Sequence, residues 1–192
     1  SILGCEETQE AMVIDPGDDP DRILKVLNRL GLKLRYILHT HAHFDHVGGS
    51  KRLKEATGAQ IFLHPEDLFL YERVAMQTAY FGLPAPDMAP VDTYFSDGQE
   101  ISAGSLLTRI FHTPGHTPGS VCFHMNHGPG KLFTGDTLFK DGIGRTDLWG
   151  GSQQAIMKSI EERLLPLADD TIVYPGHGPA TTIGREREEN PF

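Results

Sequence analysis

The chain has 192 residues, 39% of them hydrophobic and 22% charged, with a formal net charge of −9. That length suits one large domain, or at most two small ones, with a substantial core, and the acidic balance argues against a nucleic-acid backbone as the main partner. Two cysteines, Cys5 and Cys122, are too few for a disulfide scaffold, no stretch reaches the length of a membrane span, and no signal peptide is visible.

The expectation is therefore a cytoplasmic protein with no nucleic-acid or membrane partner; the pattern says nothing of oligomeric state. Ser1-Ile2-Leu3-Gly4 reads as a chain entering mid-strand, its first strand truncated and any leader missing. Ala11–Asp15 reads as a strand stopped by Pro16-Gly17. Asp19 then caps a helix with Pro20 at its first position, apolar residues at Ile23, Leu24, Leu27 and Leu30, and Gly31 at its end. A strand over Leu34–Leu38, a helix over Val47–Thr57 closed by Gly58, and a strand over Gln60–Leu63 follow. Pro65-Glu66-Asp67 opens a helical stretch towards Phe81. This half alternates β and α, the pattern of a mixed sheet with covering helices.

Residues 83–92, with Pro84, Pro86 and Pro90, read as a crossing segment. Beyond it Tyr94-Phe95, Ile101, Leu106–Phe111, Val121–Met125 and Leu132-Phe133 read as short strands separated by turn residues, which predicts antiparallel pairing. A helix over Gln153–Leu165 and a strand over Ile172–Tyr174 complete the pass. Glu186, Glu188 and Glu189 read as a solvated helix face, and Cys122 as a buried small hydrophobe.

The densest chemistry is His41-Ala42-His43-Phe44-Asp45-His46, four residues able to bind a metal within six positions, directly after a strand. His41 and His43 alternate with Ala42, so extended backbone points both imidazoles the same way. A His-rich surface loop, or core histidines, is the alternative reading. Three more candidates each follow a strand and sit beside glycine: His116 in Pro-Gly-His-Thr, Asp136 in Thr-Gly-Asp-Thr and His177 in Pro-Gly-His-Gly. Glycine lets the backbone turn sharply and aim one side chain at a shared point. Five histidines and two aspartates exceed the four ligands of a closed tetrahedral site, which suits two metals. Imidazole and carboxylate without thiolate suit zinc, with iron or manganese as alternatives.

In their order, His41-x-His43-x-Asp45-His46, His116, Asp136 and His177 resemble the metallo-β-lactamase superfamily over essentially the whole chain. The resemblance implies an α/β fold, an αββα sandwich of two mixed sheets flanked by helices, forming a single hydrolase domain over residues 1–192. It implies that His41, His43 and His116 hold a first metal, that Asp45, His46 and His177 hold a second, and that Asp136 bridges them. Within the superfamily, Thr113–Ser120, Phe133–Phe139, Gly144-Arg145-Thr146-Asp147 and Gly176-His177-Gly178-Pro179 resemble the short bacterial glyoxalase II enzymes. That branch hydrolyses S-D-lactoylglutathione to D-lactate and glutathione, so the implied partner is a small glutathione-derived thioester. The longer glyoxalase II enzymes add a C-terminal helical domain and a tyrosine soon after the basic residue; here Thr146, Asp147 and Leu148 follow Arg145.

The expected mechanism uses the metals to make hydroxide at neutral pH and to polarise the thioester carbonyl, with Asp45 and Asp136 as its catalytic carboxylates. Asp15 either orients a ligand histidine or is a turn residue. Arg145 either clamps a substrate carboxylate or pairs with Asp147, and Trp149 is a candidate for the site mouth. His39, His64, His112, His124 and His127 read as structural or surface, and Phe69, Tyr71, Tyr80 and Phe81 as core. The rival readings are a mononuclear iron persulfide dioxygenase, which shares Gly-Arg-Thr-Asp, a lactonase or β-lactamase, a nuclease, and a metal-binding module without turnover.

Overall fold

A computed structural model of the chain describes residues 1–126 and 128–192; His127, expected to be structural or surface, lies outside them. The chain divides into two units, Ser1–Phe95 with Ser102–Leu106, and Ser96–Ile101 with Leu107–Phe192.

The first unit is built on a five-stranded sheet in sequence order: β1 (Ile2–Gly4), β2 (Glu10–Ile14), β3 (Lys33–Leu38), β4 (Gln60–Leu63) and β5 (Thr93–Tyr94). β1 runs antiparallel to β2, and the remaining neighbours are parallel. Parallel neighbours need crossovers, and the first is α1 (Pro20–Leu30). Its start is as predicted: Asp19 accepts from Arg22 N, Pro20 stands at the first turn, and Gly31 closes the helix in the left-handed conformation. Such a cap is worth about 1 kcal/mol.

The helix expected over Val47–Thr57 is instead two, α2 (Phe44–Val47) and α3 (Ser50–Thr57). The break has a steric reason. Gly49 N donates to the Gly17 carbonyl at 2.5 Å, and a Cβ at Gly49 would lie 3.0 Å from that oxygen. Leu27 of α1 and Leu53 of α3 pack with Ala11, Val13, Leu34, Ile37 and Ile61 of the sheet in one buried cluster. Each such leucine contributes about 1.5–3 kcal/mol.

The stretch after Pro65 is likewise interrupted, into a 3-10 turn (Pro65–Asp67), α4 (Leu68–Tyr71) and α5 (Val74–Tyr80). This corrects the expected aromatic core. Tyr71 is buried, but Phe69, Tyr80 and Phe81 are 36%, 70% and 44% exposed. Phe69 and Tyr71 stand two positions apart on α4 and leave on different faces, while Tyr80 and Phe81 lie at the end of α5, beyond a break that shifts the helical phase.

The second unit contains β6 (Glu100–Ala103), β7 (Leu106–His112), β8 (Val121–Met125), β9 (Lys131–Gly135), β10 (Leu138–Phe139), β11 (Gly142–Ile143), β12 (Ile172–Pro175) and β13 (Thr181–Thr182); the turn joining β6 and β7 groups with the first unit. The six-stranded sheet runs β13-β12-β9-β8-β7-β6, and β10 pairs with β11 alone. β7, β8 and β9 are antiparallel, as expected, while β12 joins β9 in parallel. α6 (Gln153–Ser159) continues into a π turn (Ile160–Leu164), and α7 (Ile183–Glu189) follows β13.

Ile156, Ile160, Leu164 and Ile183 pack on Cys122, Leu132 and Val173. Burial pushes the Cys122 thiol up to about 12, in keeping with its reading as a small hydrophobe. Glu186 corrects the solvated helix face: it is buried, whereas Glu188 and Glu189 are exposed. Its carboxylate accepts from Thr181 Oγ1, Asp141 N, Arg185 Nη1 and Asn190 Nδ2. Four donors satisfy a charge that burial alone would expel.

Candidate metal centre

In the first unit β3 ends at Leu38, and the chain reaches the ligand loop through His39 and Thr40. His43 is extended (φ −75°, ψ 146°) and precedes α2, so Asp45 and His46 fall on the first helical turn after the alternating pair. The rings gather as the spacing predicts: His41 and His43 lie 4.8 Å apart between centroids, His41 and His46 4.0 Å. All three histidines are buried. Asp45 is 39% exposed, its Oδ2 3.7 Å from His46 Nε2.

Hydrogen bonds fix the tautomers of His41 and His46. Thr40 Oγ1 lies 2.6 Å from Asp15 Oδ2 and donates to it. That hydroxyl has a single proton, so at 3.0 Å it accepts from His41 Nδ1, which leaves the Nε2 lone pair of His41 as the donor to a metal. Asp15 Oδ2 also accepts from His46 Nδ1 at 3.0 Å, while Oδ1 takes Thr40 N at 2.8 Å. Burial raises the Asp15 carboxyl, but the charge of His46 and the bonds from His46 and Thr40 outweigh it and hold the group below its ordinary value. Asp15 thus makes the contact to His46 that the orienting reading expects, and it also has the left-handed backbone (φ 46°) of a turn residue.

His39 is structural. Ser50 Oγ donates to Val47 O at 2.7 Å and therefore accepts from His39 Nε2 at 3.0 Å. Burial lowers this imidazole to about 4, against the opposing pull of Asp15. His64 accepts from Glu66 N at the 3-10 turn, His112 Nε2 lies 2.9 Å from Pro118 O, and His124 stacks on Phe111.

In the second unit the three remaining candidates stand after β7, β9 and β12, as expected. Gly115 (φ 141°) precedes His116 and lies so close to Ile156 that any side chain there would strike its backbone. His116 Nδ1 donates to the Arg145 carbonyl at 2.7 Å, again directing Nε2 towards a metal. Asp136 Oδ2 lies 3.7 Å from His116 Nε2 and 3.7 Å from His177 Nε2. A carboxylate between two imidazoles is the arrangement a bridging ligand needs. Gly144 closes the cradle, since a Cβ there would collide with the Asp136 carbonyl and lie 3.2 Å from His116 Nδ1.

The donor set fits divalent metal ions. Three histidines in two units are held through Nδ1 by oxygen, the form in which imidazole coordinates through Nε2. Carboxylates stand beside His46, His116 and His177, and no thiolate enters either group.

Arg145 makes a bidentate pair with Asp147, Nε to Oδ1 at 2.7 Å and Nη2 to Oδ2 at 2.8 Å, and this pairing draws the Asp147 carboxyl down to about 2. Of the two roles considered for Arg145, this is the one on view. Trp149 is half-buried in the loop that follows. Thr40 escaped the sequence reading, although a hydroxyl directly before a ligand histidine is a usable sign. The Arg145 carbonyl escaped too, since a backbone oxygen leaves no mark in sequence. Among the described residues no helix is long and apolar enough to cross a membrane.

Comparison with known proteins identifies the family. The metallo-β-lactamase superfamily model matches residues 5–177. Hydroxyacylglutathione hydrolase GloC of Haemophilus influenzae is 41% identical over 189 residues, 97% of this chain and 89% of that protein. The mitochondrial persulfide dioxygenase ETHE1 of Homo sapiens is 32% identical over 195 residues, 99% of this chain and 69% of that protein. Among solved structures, TTHA1623 in a di-iron-bound form superposes with a TM-score of 0.89 at 40% identity, covering 100% of this chain and 93% of that one. The B3 metallo-β-lactamase BLEG-1 does so with 0.88 at 38%, covering 100% and 91%. Two mixed sheets with their helices, the ordered ligand motifs and these matches together lead to one conclusion: the chain belongs to the metallo-β-lactamase superfamily.

Proposed function

We propose that the chain is a binuclear metal-dependent hydrolase of a glutathione thioester, converting S-D-lactoylglutathione to D-lactate and glutathione. In this reading the two ligand groups serve one centre, with His41, His43 and His116 on the first metal, Asp45, His46 and His177 on the second, and Asp136 shared. Residues 1–192 act as a single domain, and the setting is cytoplasmic. The observation that carries the metal assignment is the anchoring of His41, His46 and His116 through Nδ1. The substrate class rests on the similarity to GloC, named a hydroxyacylglutathione hydrolase.

When bound, two such metals supply hydroxide at neutral pH, the pKa of water falling to about 7, and draw electron density from a carbonyl oxygen. The protein's part is orientation. Asp15, Thr40 and the Arg145 carbonyl hold three imidazoles so that their Nε2 atoms need no reorganisation on binding. Asp45, 39% exposed, is open to solvent. Arg145, more than half exposed, exchanges Asp147 for a substrate carboxylate, and Trp149 lines the mouth. The departing thiolate is stable enough in water to need little acid assistance.

Zinc is the proposed metal; iron is the alternative, since TTHA1623 is described in a di-iron form. The second functional reading is a mononuclear iron persulfide dioxygenase, supported by the similarity to ETHE1. Metal analysis joined to two assays separates them. Two metals with hydrolysis of S-D-lactoylglutathione and no oxygen uptake on glutathione persulfide is the expected result. One iron with oxygen consumption overturns the proposal.

A further inference from the structure

The ligand loop is gripped from behind by side chains that belong to no ligand motif. Gln77, on α5, is fully buried. Its Oε1 accepts from Phe44 N at 3.1 Å, and its Nε2 donates to Ala42 O at 3.0 Å and to Leu70 O at 2.9 Å. Asp67, also fully buried, takes Ala42 N on Oδ2 at 2.9 Å. Both backbone groups of Ala42 and the amide of Phe44 are thus bonded to two side chains 25 to 35 positions further along the chain.

These atoms flank His43 on either side. Ala42 separates His41 from His43, and Phe44 begins α2, which carries Asp45 and His46. The bend between them is where the loop changes from extended to helical backbone, and so where the direction of one ligand pair is set against that of the other. A buried amide with both donors and its acceptor engaged cannot rotate without leaving backbone groups unsatisfied. Gln77 therefore fixes the two peptide planes on either side of His43.

We infer that Gln77 is a positioning residue for the metal centre, locking the Ala42–Phe44 bend so that His41 and His43 are presented separately from Asp45 and His46. The inference rests on the ligand assignment proposed above. It extends the usual logic of outer partners, which hold ligand rings, to a side chain that holds the ligand backbone.

The test uses the full chain, stripped of metal and titrated with Zn²⁺ against a chromophoric chelator, alongside the absorption spectrum of the Co²⁺-loaded protein. Gln77→Met keeps the volume and removes all three hydrogen bonds. It is expected to weaken Zn²⁺ binding by about 10–100-fold and to shift the Co²⁺ absorption bands. Gln77→Glu keeps the acceptor for Phe44 N but not the two donors, and is expected to show a smaller loss of affinity; it carries the test if Gln77→Met does not fold. A purely structural Gln77 lowers the unfolding midpoint of the metal-free protein and leaves Zn²⁺ affinity and the Co²⁺ spectrum as in wild type, and that result overturns the inference. His43→Ala is the control. If it loses Zn²⁺ while both Gln77 variants bind normally, the role of Gln77 fails alone. If His43→Ala binds Zn²⁺ as tightly as wild type, the ligand assignment fails and the inference falls with it.

Discussion

Asp15 and His46, 31 positions apart, are joined by a 3.0 Å hydrogen bond from Nδ1 to Oδ2, and the same carboxylate holds Thr40 by both its amide and its hydroxyl. One side chain at the end of β2 thereby orients His46 directly and His41 through Thr40. Asp15→Ala is expected to weaken zinc binding by about 10–100-fold, with turnover falling in parallel at limiting metal. Chelator competition is the direct measure, and affinity equal to wild type would reduce Asp15 to a turn residue.

Gly144 lies against two of the three candidate ligands of the second unit, Asp136 and His116. Gly144→Ala forces a methyl group against the Asp136 carbonyl, a backbone atom that cannot swing away. Overpacking of this kind costs about 1–3 kcal/mol. We expect a lowered urea midpoint together with weaker metal binding, because the displaced segment carries both Asp136 and the carbonyl that anchors His116. A variant with unchanged midpoint and metal affinity would show that the segment is pliable.

Arg145 provides a kinetic test of substrate contact. If its guanidinium exchanges Asp147 for a carboxylate of the thioester, Arg145→Ala raises KM for S-D-lactoylglutathione about tenfold while kcat is kept, the signature of lost uniform binding. Its pair with Asp147 is well exposed and so contributes little to stability; thermal unfolding of the variant is expected to match wild type. An unchanged KM would leave only the pairing with Asp147.

Glu186 makes the fold sensitive to acid. Burial raises its carboxyl, but the bonds from Thr181, Asp141 N, Arg185 and Asn190 together hold it below its ordinary value. A lowered folded pKa contributes stability that is complete above the unfolded value of about 4.3 and is lost as pH falls through the folded one. Urea midpoints are therefore expected to drop on acidification below about pH 4.3, and the drop should shrink in Glu186→Gln. Glu186→Ala removes the acceptor of Thr181 Oγ1, Asp141 N and Asn190 Nδ2, while Arg185 keeps Asp141 and Glu189. It is expected to cost about 1–3 kcal/mol at neutral pH. Parallel pH curves for wild type and Glu186→Gln would assign the acid response to other carboxylates.

Local patterns in the sequence determined what local physics governs. Asp19, Pro20 and Gly31 delimit α1 because caps act within one turn. His41 and His43 share a face because extended backbone alternates, and glycine beside His116, Asp136 and His177 marks the sharp turns that follow strands. The ordered ligands were enough to expect the family and the metal chemistry. Tertiary structure alone decided which partner each residue meets. The sequence leaves Asp15 as either a turn or an orienting residue until the fold brings His46 to it. It also leaves open which carboxylate of the chain spans the fork of Arg145, which is Asp147. The phase of the helices after Pro65 was lost at an unmarked break, which left Tyr80 and Phe81 at the surface. Glu186 and Gln77 carry no local sign of burial, because polar residues become interior only when the chain supplies enough donors and acceptors from distant positions.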